Sequence, residues 1–583
     1  MSAQELITKH LDLWTGAVTK RSSSGRGSNG KVELTGVEKL RELILELALR
    51  GKLTEQHAGD EPAEQLIERI ATQKANTGNG KRGTPQPPKN ETPIPQPFQV
   101  PSTWAWVPLR ETGLTSTGKT PSTKNASFFS GDIPFIGPGQ VTVRGKITKP
   151  EKSLSEEGAA HTEEALPGDI LTVCIGGSIG KTAKVSERCG FNQQLNKIRP
   201  ILVESDYLFF AISAKFFQKA IRENATGSAT PIINRSKWES ICIPLAPFAE
   251  QKRIVQKVDE LMALCDRLEQ QTSDQLEAHE TLVDTLLGTL TQSENATELA
   301  DNWTRLAAHF DTLFSTKQSI DKLKQTILQL AAMGRLVEKG SGDEPAIDLL
   351  TEIHARKTAL AGEKRIKQPR ALTQLDNTQH SYTAPAHWAW AYFQDIADEI
   401  STGPFGSMIH KHDYVVGGIP LINPSHMVKG HIKEDSSVSV TPTKAEELSS
   451  YQLAKGDIVM ARRGEVGRCA VVTDRETGWL CGTGSFVLRF HPAINRQFIL
   501  LLFSTDTVRD YLTGNSVGTT MTNLNHGILK KMPVALPSAE EQDRIVQKVD
   551  ELMALCDQLK ERLNQAGETR CQLAEAVVEK ALT

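Results

Sequence analysis

The sequence predicts an α+β chain built as a pseudo-twofold internal repeat, with two strand-rich α+β domains separated by long antiparallel coiled-coil helices. Three observations predict it: a long internal duplication, an apolar heptad seam inside that duplication, and short glycine-bounded apolar runs between the duplicated parts. RIVQKVDELMALCD occupies residues 253–266 and returns unchanged at 544–557, an offset of 291. LRELILELALRGKL (40–53) is echoed by LKQTILQLAAMGRL (323–336), and GDEPA follows both, at 59–63 and 342–346. WAW at 104–106 matches 388–390, Ile133-Pro134 matches Ile419-Pro420, and GDI at 168–170 matches 456–458. The offset grows from 283 to 291 along these landmarks, so the copies are collinear and differ by small loop insertions.

The elements follow in order. Residues 36–52 read as a helix, with Leu40, Leu43, Ile44, Leu47 and Ala48 on one face and Gly51 as its stop; 319–336 is its copy. Prolines at 85, 87, 88, 93, 95, 97 and 101 make residues 76–101 an extended linker, and a second linker covers about 357–385. Each insert opens on WAW and carries runs such as DIPFIG, GDILTVCIG, GIPLIN and SFVLRF, which read as strands between Gly and Asn turns. One helix is expected near 207–223, and its counterpart near 497–512. After each insert Ile254, Val258, Leu261, Cys265 and Leu268, and then Ile545, Val549, Leu552, Cys556, Leu559 and Leu563, step by four and three. That seam should meet another helix, because a helix of roughly 35–40 residues is about 50–60 Å long and outreaches one small domain; the preceding copy-paired helix, 36–52 or 319–336, is the natural intramolecular candidate. The resulting division is 1–100 (helix and Pro-rich linker), 101–247 (first insert), 248–356 (central repeated helices), 357–384 (linker), 385–537 (second insert) and 538–583 (C-terminal repeated helix).

Composition excludes several classes. The 583 residues contain no stretch of about 18 apolar residues, and the N-terminus lacks a basic-then-apolar leader pattern. Eight cysteines without a CxxC pair argue against a zinc site or a disulfide framework and for a reducing cytoplasm. IGGSIGKT at 175–182 resembles a phosphate-binding loop, but Ile175 stands where the first glycine is required, and GEVGR at 464–468 lacks Lys-Thr. Both read as tight turns that place a cation, Lys181 or Arg468, beside exposed amides, which suits a DNA phosphate. There is no Asn/Asp-Pro-Pro-aromatic tetrapeptide, no HExxH and no GxSxG, so neither catalytic residues nor metal ligands are expected. The net charge of −3 conceals an uneven distribution. Residues 101–247 hold 17 Lys and Arg against 13 Asp and Glu, whereas 248–292 hold 4 against 9. The first insert is therefore basic and its helix acidic, while the second insert is close to balanced.

The order of linker, WAW, strand-rich insert and an AEQKRIVQKVDELMALCDRL-type helix, twice over, resembles the specificity subunit of type I restriction–modification systems. LTSTGKTPS at 114–122 is similar to the opening of one class of that family's target-recognition domains, with Lys119 where a second Gly is common. STGPFGS at 401–407 is similar to the opening of another class, and residues 1–38 resemble the subclass with an extended N-terminus. The resemblance implies a non-catalytic subunit in which each domain reads one half of an asymmetric bipartite DNA target. Two adenine-methyltransferase subunits would bind the repeated helices, and a motor-nuclease subunit would complete the restriction enzyme. S-adenosylmethionine, ATP and Mg would belong to those partners, with no cofactor in this chain and no membrane association.

Residue type and loop position nominate Lys119, Lys124, Arg144, Lys181, Gln193, Gln194, Asn196 and Lys197 as DNA-binding groups in the first insert. Lys411, His412, Arg462, Arg463, Arg468 and Asn525 are their counterparts in the second. The seam residues Ile254, Val258, Leu261, Leu268, Ile545, Val549, Leu552 and Leu559 are expected to bind partners. Two other readings are open: a structural tether whose inserts bind protein, and a self-contained modification enzyme.

Overall fold

The computed structural model describes residues 9–20, 32–77, 95–294, 296–364, 366–372, 375, 382–404, 408–514 and 524–582. They form two units, Met1–Gln275 with Gln565–Thr583, and Leu276–Asn564. Most of the linker at 76–101, much of that at 357–385, and Phe405, Gly406 and Ser407 of the second opening motif lie outside the described residues.

The α+β repeat is present, and each unit carries one copy. In the first unit the insert begins and ends on one antiparallel ladder, Ala105–Pro108 against Cys242–Leu245. Between them, Gly113–Thr117, Leu195–Pro200, Ile170–Val173 and Thr182–Lys184 make a four-stranded antiparallel sheet. A smaller sheet holds Ser153–Leu154, Ile133–Ile136, Cys189–Phe191 and Glu163–Ala165, with 189–191 parallel to 133–136. Ile170–Val173 is buried on both faces, which explains an apolar run without alternation: Leu171 and Val173 face the smaller sheet's core, while Ile170 joins the core of helices. The second unit repeats this plan with the ladder Ala389–Tyr392 against Pro533–Leu536. Its larger sheet orders Ala397–Thr402, Ser485–Phe490, Ile458–Ala461 and Cys469–Val471.

Two departures concern helices. The helix expected at 207–223 is two, Ser205–Ser213 and Lys215–Asn224, because Ala214 is extended (φ −67°, ψ 152°). Thr505 breaks its counterpart in the same way, between Arg496–Ser504 and Asp506–Gly514. Helices Ala63–Thr77 and Ala346–Gly362 follow the two GDEPA sequences, and the second runs into the stretch expected to be linker. Lys357 anchors it there: its ammonium donates to the Ala397 carbonyl at 2.7 Å and the Gln394 carbonyl at 2.5 Å. Lys74 donates to the Arg110 carbonyl at the matching place in the first unit.

The repeated helices are Phe248–Gln292 (45 residues) and Ala539–Leu582 (44 residues), and the unit boundaries fall inside them. In the first unit, helix Thr35–Leu49 lies between a stretch of each. Arg41 meets Asp266 and Glu269 while Arg253 meets Asp60, so 248–275 runs antiparallel to it. Lys39 meets Glu575, and Arg50 donates to the Leu582 carbonyl, so 565–582 runs parallel. Helix Lys317–Ala332 sits likewise in the second unit: Lys324–Asp557 and Lys560–Asp321 mark its antiparallel neighbour, while Lys322–Asp284 and the Arg335 donation to the Thr291 carbonyl mark its parallel one. In each unit the two long-helix stretches are therefore antiparallel to each other.

This packing overturns one expectation. Ile254, Val258, Leu261, Leu268, Ile545 and Val549 are buried in the chain's own cores, and Leu552 and Leu559 pack against the second core. The seam is filled by the intramolecular helices 35–49 and 317–332, so the six buried side chains are core residues and not a docking surface.

The conserved punctuation between the copies has a physical cause. The Asp of each GDEPA pairs with the Arg opening the repeated helix: Arg253–Asp60 at 2.5 Å and Arg544–Asp343 at 2.5 Å. Trp104 of the first WAW donates its indole N–H to Glu250 of the AEQ sequence at 2.9 Å. Gln251 and Gln542 each donate to a carbonyl just before their helix, Ala246 and Pro537. Gly51 and Gly334, at φ +66° and +70°, turn the chain where Pro101 and Pro385 close in, a conformation a side chain would strain.

Candidate nucleic-acid interface

In the larger sheet of the first insert, Thr117, Leu195, Val173 and Thr182 all stand at one end, since Asn196 faces Thr117, Leu195 faces Val173, and Thr172 faces Thr182. The loops leaving that end bring together much of the expected set. Gly118 passes so close to the Asn192 carbonyl that a Cβ would lie 2.1 Å from it, which allows the next residues to cross the loop at 192–194. The Lys119 amide donates to the Phe191 carbonyl, Thr120 Oγ donates to Gln193 Oε1 at 2.6 Å, and Asn192 orients the half-buried Gln194 amide at 3.2 Å. The Cys174 amide donates to the Gln194 carbonyl, so the 174–181 turn and Lys181 stand beside them. Lys119 and Gln193 are exposed, as is Lys124 further along the same loop.

The second insert presents the matching end. Thr402 faces Phe486, Ala461 faces Ser485, and Met460 faces both Phe486 and Cys469. Arg462, Arg463 and Arg468 leave it together, and the Leu524 amide donates to the Arg462 carbonyl, which draws the 524–525 segment alongside. Arg462 lies over the Phe486 ring at 5.6 Å. Burial and the neighbouring Arg463 pull its proton affinity down, while Arg463 itself is exposed. Arg468 pairs with Glu465. His412 is exposed on the short helix Lys411–Asp413, stacked against His410 at 5.3 Å, on a segment that enters the smaller sheet. The Lys411 side chain lies outside the described residues.

Four expected DNA contacts have other roles. Asn196 is 2% exposed, accepts from Thr117 Oγ at 2.8 Å and donates to Cys174 Sγ. Lys197 is 7% exposed and donates to the Glu164 carbonyl at 2.6 Å; burial lowers its pKa. Both sit on the buried strand, where the NQQLNKIRP sequence gives no sign of which residues turn inward. Arg144 reaches back to Glu269 at 2.9 Å and Glu38 at 3.0 Å, which raises its pKa, so its turn braces the insert on the helices. Asn525 caps helix His526–Lys530 by accepting from the Ile528 amide, as Asn234 does for Arg235–Glu239.

The long helices also carry a surface that their heptad pattern does not mark. Of the fourteen residues shared by the long helices, Gln256, Asp259, Glu260 and Ala263 are exposed, as are Gln547, Asp550, Glu551 and Ala554. Core packing does not require identity there. The signal was present as identity off the heptad seam.

The model of the Type I restriction modification DNA specificity domain matches the chain twice, at residues 101–278 and 400–568. The chain is 35% identical to the type I restriction enzyme EcoEI specificity subunit of Escherichia coli, over the full length of both. It is 34% identical to the EcoAI specificity subunit of the same organism, again covering 100% of each. Among solved structures, a crystallised HsdS subunit from Thermoanaerobacter tengcongensis is 18% identical, with 83% of this chain and 98% of that one covered, at a TM-score of 0.40. The twice-matched domain and the full-length likeness establish the family: this chain belongs to the type I restriction enzyme specificity subunits.

Proposed function

We propose that the chain reads an asymmetric, bipartite double-stranded DNA target, one half with each sheet end, and does no chemistry itself. The observation that carries this is the contrast inside the repeat. The helices, the GDEPA–Arg pairs and the junctions made by Gln251 and Gln542 are duplicated, while the loops at the two sheet ends differ: Lys119, Lys181, Gln193 and Gln194 in one, Arg462, Arg463 and Arg468 in the other. Such cations and amides serve phosphate contact and base-edge readout.

The exposed residues common to both long helices would be two equivalent docking faces for one adenine-methyltransferase subunit bound twice. A motor-nuclease subunit would join that assembly. S-adenosylmethionine, ATP and Mg would be held by those subunits, and the complex would work in the cytoplasm. Among the described residues no helix is long and apolar enough to cross a membrane, and no group of three or more His, Cys, Asp or Glu is placed to hold a metal.

Selection from a random duplex library by the chain together with its methyltransferase subunit tests the reading. Two short defined sequences separated by a fixed unread gap are expected. Enrichment of no sequence, or of one continuous palindrome, would contradict it.

A further inference from the structure

The two units differ where the helices following each larger sheet approach the helical scaffold. In the second unit a groove of about 730 Å³ opens between helix 317–332, the 284–291 stretch of the first long helix and helix 506–514. Its walls include Gln325, Gln329, Met333, Tyr382, Asp506 and Thr507. The Oε1 atoms of Gln325 and Gln329 are buried without a hydrogen-bond partner.

The internal copy shows what such a space holds when the chain fills it. By the repeat offsets, Gln325 and Gln329 stand where the first unit has Glu42 and Glu46, Met333 where it has Arg50, and Tyr382 where it has Phe98. Asp506 and Thr507 replace Lys215 and Phe216. In the first unit the Lys215 ammonium meets Glu42 at 2.7 Å. The Phe216 ring packs edge-on against Phe98 at 5.4 Å and Trp106 at 5.7 Å, and Arg50 covers Phe98 at 4.4 Å. The chain thus supplies its own cation and aromatic ring. In the second unit both have been replaced by a smaller residue and an acid, while the scaffold wall keeps acceptors. The lining also holds Lys322 and Lys324, but these are paired with Asp284 and Asp557, so Asp506 and Asp510 leave their side of the rim acidic over two unpaired amide oxygens.

We propose that this groove is a docking site, present in the second unit only, for a partner-protein segment presenting a basic side chain beside an aromatic ring. The ring would fill the volume Phe216 takes in the first unit and stack near Tyr382. The cation would meet Asp506 and Asp510 and donate to the Gln325 and Gln329 oxygens. Because the first unit fills its own equivalent, the site occurs once per chain. A partner using it would break the twofold equivalence of the two helix faces.

The test uses the full chain and para-fluorophenethylamine, an ammonium beside an aromatic ring, followed by fluorine NMR, with para-fluorophenylacetate as the charge-reversed probe. One amine site per chain is expected, with affinity at least about tenfold above the carboxylate's. Asp506→Lys with Thr507→Phe, which copies the first unit, should abolish binding. Lys215→Asp with Phe216→Thr should raise the number of sites to two, provided circular dichroism shows the fold retained. Equal binding of amine and carboxylate, or amine binding that survives the filling variant, would overturn the proposal.

Discussion

Arg544 and Asp343, with their copies Arg253 and Asp60, show how a single pair ties two repeated motifs together. The Asp343 carboxylate is 1% exposed but Arg544 is 38% exposed, so removing the cation leaves a carboxylate that keeps only the Gly340 amide as donor. Arg544→Met should destabilise the second unit by about 1 kcal/mol, since solvent screens the half-exposed arginine, as measured by urea unfolding. Hydrogen bonding to the arginine holds each aspartate below its usual range. Because the folded value is the depressed one, the stabilisation is complete above the ordinary Asp pKa near 3.9 and fades as pH falls through the folded value. Arg544→Met should therefore weaken the dependence of stability on pH below about pH 4, and an unchanged acid limb would count against the pair. Arg463 and Arg144 make the opposite contrast. Arg463→Ala should weaken specific DNA binding, by about 1–3 kcal/mol if it reads a base edge. Arg144→Ala should leave intrinsic contacts intact, because its guanidinium is committed to Glu38 and Glu269. Titration of each variant with its target, methyltransferase present, separates the two.

Helices were the most legible elements, because burying one stripe writes a period into the sequence. The seam from Ile254 to Leu268 gave the long helix, and Gly51 the end of its neighbour. The period alone does not name the helix that fills the seam, but chain order points to the preceding copy-paired helix, 36–52 or 319–336. Helices 35–49 and 317–332 do fill it, and so six of the expected partner contacts are core residues. The strands fixed which loops share a sheet end only once registers were known. Asn196 and Lys197 look like groove readers in sequence yet sit on a strand buried between two layers. Arg462 and Arg463 were recognisable because a cation pair just after an apolar run must leave the sheet. The exposed helix faces carry their own prediction. Glu551→Arg should remove one bound methyltransferase copy and keep the other, and Glu260→Arg should do the same at the other face, as native mass spectrometry would show. Two copies retained in both variants would place the contact elsewhere.

For the whole molecule, duplication and divergence answer different demands. Duplicated ion pairs, junctions and helix faces build the same scaffold in each unit, whereas the sheet-end loops and the groove beside helix 506–514 do not repeat. If each insert reads its own half-site, they are exchangeable, since the closing ladders at 105–108 with 242–245 and 389–392 with 533–536 set each insert off from the helices. The most direct measurement replaces residues 385–537 with the corresponding stretch of a relative and sequences the methylome of cells carrying the hybrid with its methyltransferase subunit. One half of the methylated target should change while the other half keeps its sequence. A change in both halves, or in neither, would contradict independent reading by two domains.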